Sequence, residues 1–325
     1  MKDYYIFNSG RLKRKENTIY FETDKGVKKS LPILDVDTLY LFGEVDLNTK
    51  FINLISKEGI IIHVYNYYGF YSGSFYPRKK NVSGYLVVKQ SSHYLNAGKR
   101  LFLAQNFVDA SAHQILRNLK KHEDTDFFIE SIKKERELIF LTANVHELMG
   151  VEGNIRKIYY SAFNTMLKNG FELNSRIKRP TSDPVNALIS FGNSVMYTTV
   201  LGEIYKTQLD PTISYLHEPS SKRFSLSLDI AEIFKPLIID SIILKMINTK
   251  MITEKHFAYE NGVCFLNEEG KKKFLMEYNK KLETTIKHRK LKRNVSYKYL
   301  IRLECYKIIK HIIDDDIYKP LKSWW

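Results

Sequence analysis

The chain has 325 residues, enough for about two domains and for a core that needs neither disulfides nor a structural metal. Its 51 Lys+Arg against 36 Asp+Glu leave a net charge of +15, which points to a polyanionic partner, nucleic acid ahead of an anionic membrane surface. Only Cys264 and Cys305 are present, which excludes a Cys-rich zinc site and a disulfide framework and fits a reducing cytoplasm; no apolar run reaches the ~18 residues of a membrane span.

In chain order, the first 80 residues read as β-rich. Apolar alternation between turn signals predicts strands at 4–8, 17–23, 27–32, 38–42, 60–65 and 70–76. One helix interrupts them, from Asn48 as N-cap to Gly59 just past its end, with Phe51, Leu54 and Ile55 inward. Pro77-Arg78-Lys79-Lys80-Asn81 marks a junction, and residues 82–90 read as a connecting strand or linker. From Ser91 the period becomes helical, predicting helices at 91–122, 125–149, 151–169, 184–207, 225–248, 268–288 and 295–314. A small hairpin centred on Glu260-Asn261-Gly262 falls at 256–266, and Asn267 caps the helix after it. The expected architecture is α+β: a small N-terminal β-rich, sandwich-like domain (1–80), a linker (81–92) and a larger all-α domain (93–325).

Several local patterns fail on spacing. His146-Glu147 and His217-Glu218 open like the helical zinc-protease motif, but neither has the second His one turn on. Gly270-Lys271-Lys272 lacks the upstream Gly of an NTP-binding loop, and Gly69-Phe70-Tyr71-Ser72-Gly73 has its Ser out of place for a nucleophile elbow.

The most informative stretch is 215–240. His217 sits on a polar loop beside Lys222 and Arg223. Asp229 and Glu232 follow on a predicted helix, off the apolar stripe of Leu226, Ile230, Ile233 and Leu237. Imidazole nitrogen and carboxylate oxygen suit a hard or borderline divalent metal, and cations beside it suit a phosphodiester. An acidic pair at this spacing is ordinarily an ion-paired helix edge, so the loop context carries the weight. Glu152, between Gly150 and Gly153 at an expected helix junction, is either a plain helix-start carboxylate or one delivered where neighbouring backbone comes close. Residues 271–293 hold ten Lys+Arg and two Glu; with Arg176, Lys178 and Arg179 they are candidate surfaces for tracking a nucleic-acid backbone, or else solvated helix faces.

Together these residues resemble the CRISPR-associated adaptation integrases, the Cas-one family, also described as metal-dependent DNA endonucleases. The resemblance runs in order through Phe42-Gly43-Glu44-Val45, Ser74-Phe75-Tyr76-Pro77-Arg78, residues 149–154, Arg179-Pro180, residues 183–192, Leu209-Asp210-Pro211, Tyr215-Leu216-His217-Glu218, residues 225–236 and Leu266-Asn267-Glu268-Glu269-Gly270, over nearly the whole chain. It implies Glu152, His217 and Glu232 as catalytic metal ligands, the last where many relatives carry Asp, with Asp229 supporting the site or its helix. It implies Mg2+ or Mn2+, a homodimer with its N-terminal β domain, a helical catalytic domain and assembly with the small Cas-two protein. The implied reaction inserts short foreign DNA into a CRISPR repeat array by attack of a 3′-hydroxyl on a phosphodiester. On this reading Lys222 and Arg223 neutralise phosphate, Asn186 and Tyr197 contact DNA or support the ligands, and Arg176, Arg179, Lys290 and Arg293 follow the DNA backbone. Two other readings stand beside it: a stand-alone structure-specific DNA nuclease, and a DNA-binding scaffold without catalysis.

Overall fold

Alternation in the first 80 residues becomes two four-stranded sheets. Strands β1 (Lys2–Ile6), β2 (Gly10–Lys15), β3 (Thr18–Thr23), β4 (Lys28–Pro32), β5 (Val36–Leu41) and β6 (Val45–Leu47) precede helix α1 (Thr49–Glu58), and β7 (Ile61–Tyr65) and β8 (Tyr71–Phe75) follow it. One sheet runs β1-β5-β7-β8, with β5 parallel to both neighbours and β8 antiparallel; the other runs β4-β3-β2-β6, antiparallel except where β2 meets β6. Leu12, Ile19, Val36, Leu39, Phe51, Ile55 and Ile62 share one core drawn from both sheets and α1. The α1 caps fall where the sequence puts them: Asn48 accepts from the Phe51 N–H, and Gly59 leaves the helix at φ 76°, a conformation that favours glycine. Strand β2 escapes a reading by alternation because Leu12 is its one large apolar residue; that residue is fully buried and fixes the register against β3.

The computed structural model describes residues 2–78, 81–177, 180–220 and 224–325, in two compact units, Met1–Lys80 and Asn81–Trp325. The second unit is helical: α2 (Gly84–Leu95), α3 (Ala97–Leu119), α4 (Asp126–Leu138), α5 (Val145–Ser161), α6 (Phe163–Met166), α7 (Pro184–Tyr205), α8 (Ser225–Phe234), a wide π turn (Lys235–Asp240) and α9 (Ser241–Asn248). Hairpin strands β9 (Phe257–Glu260) and β10 (Val263–Leu266), helix α10 (Glu268–Glu283), hairpin strands β11 (Thr285–Lys287) and β12 (Asn294–Ser296), and helix α11 (Tyr297–Ile312) complete it. No helix among the described residues is long and apolar enough to cross a membrane.

Several boundaries differ from the sequence expectation, each for a local reason. The segment read as strand or linker at 82–90 is the start of α2, because the Ser83 hydroxyl accepts from the Leu86 N–H and nucleates a helix. The single helix expected at 91–122 divides at Asn96, whose side chain accepts from Lys99 N–H to begin α3. The junction expected near Gly150 lies upstream instead. Asn144 caps α5 through the Glu147 N–H, and Glu147 reaches back to the Ala143 N–H at 2.8 Å, so Glu152 stands mid-helix. A Cβ added at Gly150 or Gly153 would meet nothing within 4 Å: these glycines leave open space beside Glu152 rather than admitting close backbone. The helices expected at 268–288 and 295–314 yield residues 285–287 and 295–296 to a second hairpin, so the helical unit carries two small hairpins and is not purely α.

Helices α3, α7 and α8 pack at the centre of this unit. Gly192 on α7 lets the π turn approach: a Cβ there would lie 2.7 Å from Ile239 and 2.9 Å from Phe274. Pro236, the second residue of the π turn, has no N–H to give, and its ring crowds the carbonyl one turn back.

Candidate functional site

The site is built from α5, α8 and the loop before α8. Asp229, fully buried on α8, organises that loop. Its Oδ2 accepts from the backbone N–H groups of Tyr215 (2.6 Å) and Leu216 (3.0 Å), and its Oδ1 accepts from His217 N–H (3.0 Å) and from His217 Nδ1 (2.8 Å). A proton on Nδ1 satisfies the last bond and leaves Nε2 of the imidazole as a lone pair with no partner among the described residues. Burial works against the imidazolium, but Asp229, by hydrogen bond and charge, and then Glu232 lift the His217 pKa above its ordinary value. The far side of the loop is held by Arg100, which donates to Tyr215 O at 2.9 Å and to Glu218 at 2.6 Å, and by the Tyr94 hydroxyl on Glu218 at 2.8 Å.

Glu232, three residues beyond Asp229 and likewise buried, receives Arg156 on Oε2 and Lys235 on Oε1. Burial alone would raise its pKa; the Lys235 and Arg156 charges, with His217 behind them, hold it well below the usual carboxylate range. Arg156, four residues after Glu152 on α5, spans the site: Nε donates to Glu152 Oε1 (3.2 Å), and Nη2 donates to Ser111 Oγ on α3 (3.2 Å) and to Glu232. Its Nη1 is buried without a hydrogen-bond partner among the described residues. Lys235 also reaches the Tyr197 hydroxyl at 3.4 Å, with its ammonium 5.6 Å from the centre of the Tyr197 ring. Behind them, Asp240 ends the π turn; burial pushes its carboxyl up to about 6 against the pull of Arg156 and Lys235, and its Oδ2 has no partner.

Glu152, His217, Glu232, Asp229 and Tyr197 thus come together, and Arg156, Lys235 and Asp240 join them. Among the described residues, no three His, Cys, Asp or Glu side chains stand close enough to hold a metal as they are; two cations stand among the carboxylates instead. Asn186 lies apart from these groups and is fully buried. Its carbonyl accepts from Arg176 (2.8 Å) and Ile177 N–H (3.0 Å), and its amide donates to Ser175 O (2.8 Å) and Asp183 (2.7 Å), so it anchors the 175–177 segment. Arg176 is engaged there too, on Asn186, Ile177 O and Ser190 Oγ. Lys290 and Arg293 are exposed in the loop joining β11 to β12, Arg293 lying over the Tyr299 ring at 5.5 Å. Arg179, Lys222 and Arg223 lie outside the described residues.

Sequence reasoning missed Arg156 and Lys235, although each carries a visible signal, a cation one helical turn beyond an acid: Glu152 and Arg156 four apart, Glu232 and Lys235 three apart. Asp240 had none, because the π turn alters the register in which it meets α5.

The model of the CRISPR associated protein Cas1 family matches residues 4–280. A relative from Clostridium perfringens, a CRISPR-associated endonuclease Cas1, is 60% identical over 328 residues, covering 100% of this chain and 99% of its own. The solved structure of a CAS1 protein from Thermotoga maritima superposes with a TM-score of 0.90 at 42% identity, covering 98% of this chain and 99% of that one. A casposase bound to integration product shares the fold, with a TM-score of 0.89 at 18% identity over 100% of this chain and 94% of that one. The family model reaches through both units and past α8, and the relatives match end to end: the chain belongs to the Cas1 family.

Proposed function

We propose that the chain is the DNA endonuclease and integrase of CRISPR adaptation, and that it inserts short foreign DNA into the repeat array. The observation that carries this reading is the pair of carboxylates, Glu152 and Glu232, drawn to one guanidinium beside an imidazole whose Nε2 has no partner among the described residues. The donor set fits a divalent ion: two carboxylates and one imidazole oriented by a buried carboxylate through its other nitrogen. The cations now between the acids are stand-ins for its charge. Glu152, Glu232 and His217 Nε2 would hold Mg2+ or Mn2+, with the imidazole favouring Mn2+; the ion would supply Lewis-acid polarisation of a phosphoryl oxygen and charge for the departing 3′-oxygen.

The chain's own residues do the rest. Asp229 fixes the His217 ring, Lys235 keeps a positive charge beside Tyr197 for a phosphate oxygen, and the open surface at Gly150 and Gly153 leaves room for DNA next to Glu152. A phosphorus–oxygen bond forms from the incoming 3′-oxygen as the bond to the repeat's 3′-oxygen breaks, and the proton of the attacking hydroxyl is matched by one taken up on the leaving oxygen. Bond replaces bond, so no nucleoside triphosphate is consumed. With water as the attacker, the same site acts as a nuclease. Lys290 and Arg293, with Arg179, Lys222 and Arg223, contact DNA phosphates; the partners are a second copy of this chain, meeting through the N-terminal unit, and the Cas-two protein. The compartment is the cytoplasm, which suits two unpaired buried cysteines.

The test is integration of a pre-processed DNA end into a repeat-bearing plasmid with Mn2+, with and without the Cas-two protein. Glu152→Ala and His217→Ala are expected to abolish joining. Retained joining in either would overturn the ligand assignment, and activity on branched DNA alone, indifferent to the repeat and to the partner, would favour a stand-alone nuclease.

A further inference from the structure

Two buried groups of opposite charge in the site each leave one atom without a hydrogen-bond partner among the described residues. These atoms are Arg156 Nη1 and Asp240 Oδ2, the Asp240 carboxyl being otherwise met by a side-chain hydrogen bond from Tyr159. Each feels the other's charge, yet no ion pair joins them among the described residues. Desolvated groups of this kind are ordinarily paired, since an unpaired one bears its full desolvation cost. Arg156 meanwhile uses Nε on Glu152 and Nη2 on Ser111 and Glu232.

We propose that Arg156 is a resident counter-cation that holds Glu152 and Glu232 close while the metal is away, and that on metal binding its guanidinium passes to Asp240, a positioning residue for the site. This rests on the metal reading above. Two carboxylates brought together without a cation repel; the guanidinium between them, bonded to both, offsets that. Once a divalent ion stands between the same acids, Arg156 becomes a like charge beside it and must yield. Its side chain is only 12% exposed, so water is not at hand to receive the charge. The unpaired oxygen of Asp240 is. Lys235 has no such need to move, because the Tyr197 hydroxyl and ring already accept its ammonium.

The experiment is a calorimetric Mn2+ titration of the full chain: wild type, Asp240→Asn, Arg156→Gln and the double variant, with Glu152→Gln as reference. Wild type is expected to bind and Glu152→Gln to fail. Asp240→Asn should weaken binding by about ten-fold or more, because the displaced guanidinium has lost its counter-charge. In the Arg156→Gln background the same change should have no effect. If wild type does not bind Mn2+, the metal reading itself fails. If wild type binds but Asp240→Asn binds equally well, or loses the same factor with and without Arg156, the transfer to Asp240 is overturned while the metal reading stands. Should Asp240→Asn not fold, a crystal structure of Mn2+-loaded wild type decides: Arg156 Nη1 on Asp240 supports the transfer, and Arg156 still on Glu152 and Glu232 refutes it.

Discussion

At the scale of single residues, Asp229 does more than its rank in the sequence indicates. It is one of two acids on α8, and the spacing alone gives no reason to separate them. The structure separates them by their donors: Asp229 is saturated by three backbone N–H groups and an imidazole, whereas Glu232 is held by the side-chain cations Arg156 and Lys235. Asp229→Asn keeps the volume but turns an NH2 toward donors. It is expected to lower stability by about 3 kcal/mol, read as a shift in the urea midpoint, and to weaken Mn2+ binding by about ten-fold or more as His217 loses its orientation. The ligand candidates were legible because their residue types and order resemble a family pattern. Arg156, Lys235 and Asp240 were not, because a cation's role depends on which acid of another helix it meets, and only packing decides that.

At the scale of elements, the two kinds of glycine in this unit predict opposite outcomes. Gly153→Ala adds a methyl to open space in α5 and is expected to stabilise by ~0.5–1 kcal/mol, with a loss of integration where that space admits DNA. Gly192→Ala forces a methyl against Ile239 and Phe274 and is expected to destabilise by ~1–3 kcal/mol; thermal melting of the pair reads both signs. The same glycines explain a misplaced boundary. Gly150 looked like a helix break, yet Asn144 and Glu147 supply the cap, and a helix with tertiary support carries both glycines through. A further clamp joins α7 to α11: Glu203, buried, receives Arg302 at 2.7 Å and Lys206 at 3.1 Å. Burial alone would raise its pKa, but the Lys206, Lys298 and Arg302 charges hold it below the ordinary value. A depressed carboxylate contributes stability above its unfolded pKa, and that contribution is lost as pH falls through the folded value. Glu203→Gln is therefore expected to cost about 3 kcal/mol at neutral pH and to lose less than wild type on acidification below about pH 4.5, measured by urea unfolding across that range.

At the scale of the whole molecule, the excess of Lys and Arg was the first property legible in the chain, and the α+β order of a β-rich unit before a helical one followed from the change in period near residue 90. Which cations face DNA was not legible, since Arg176 proves to be tied to Asn186 and Ser190 while Lys290 and Arg293 stand exposed at a hairpin tip. Affinity for DNA is expected to fall steeply between 50 and 200 mM salt. Lys290→Gln and Arg293→Gln should each lower the slope of log affinity against log salt by about 1, measured by fluorescence anisotropy; an unchanged slope would remove the hairpin from the DNA path.

The wide turn at 235–240 means that this helix contains a residue more than its span requires. A chain one residue shorter between Glu232 and α9 could close that turn to ordinary helical geometry and keep both ends in place. The same deletion elsewhere in the helix would swing everything after it by about 100° and carry Ile242, Ile243 and Met246 out of the core. Length variation in this helix is therefore tolerable at one point only, and when the chain is aligned with a distant relative, a single-residue gap belongs between Lys235 and Asp240.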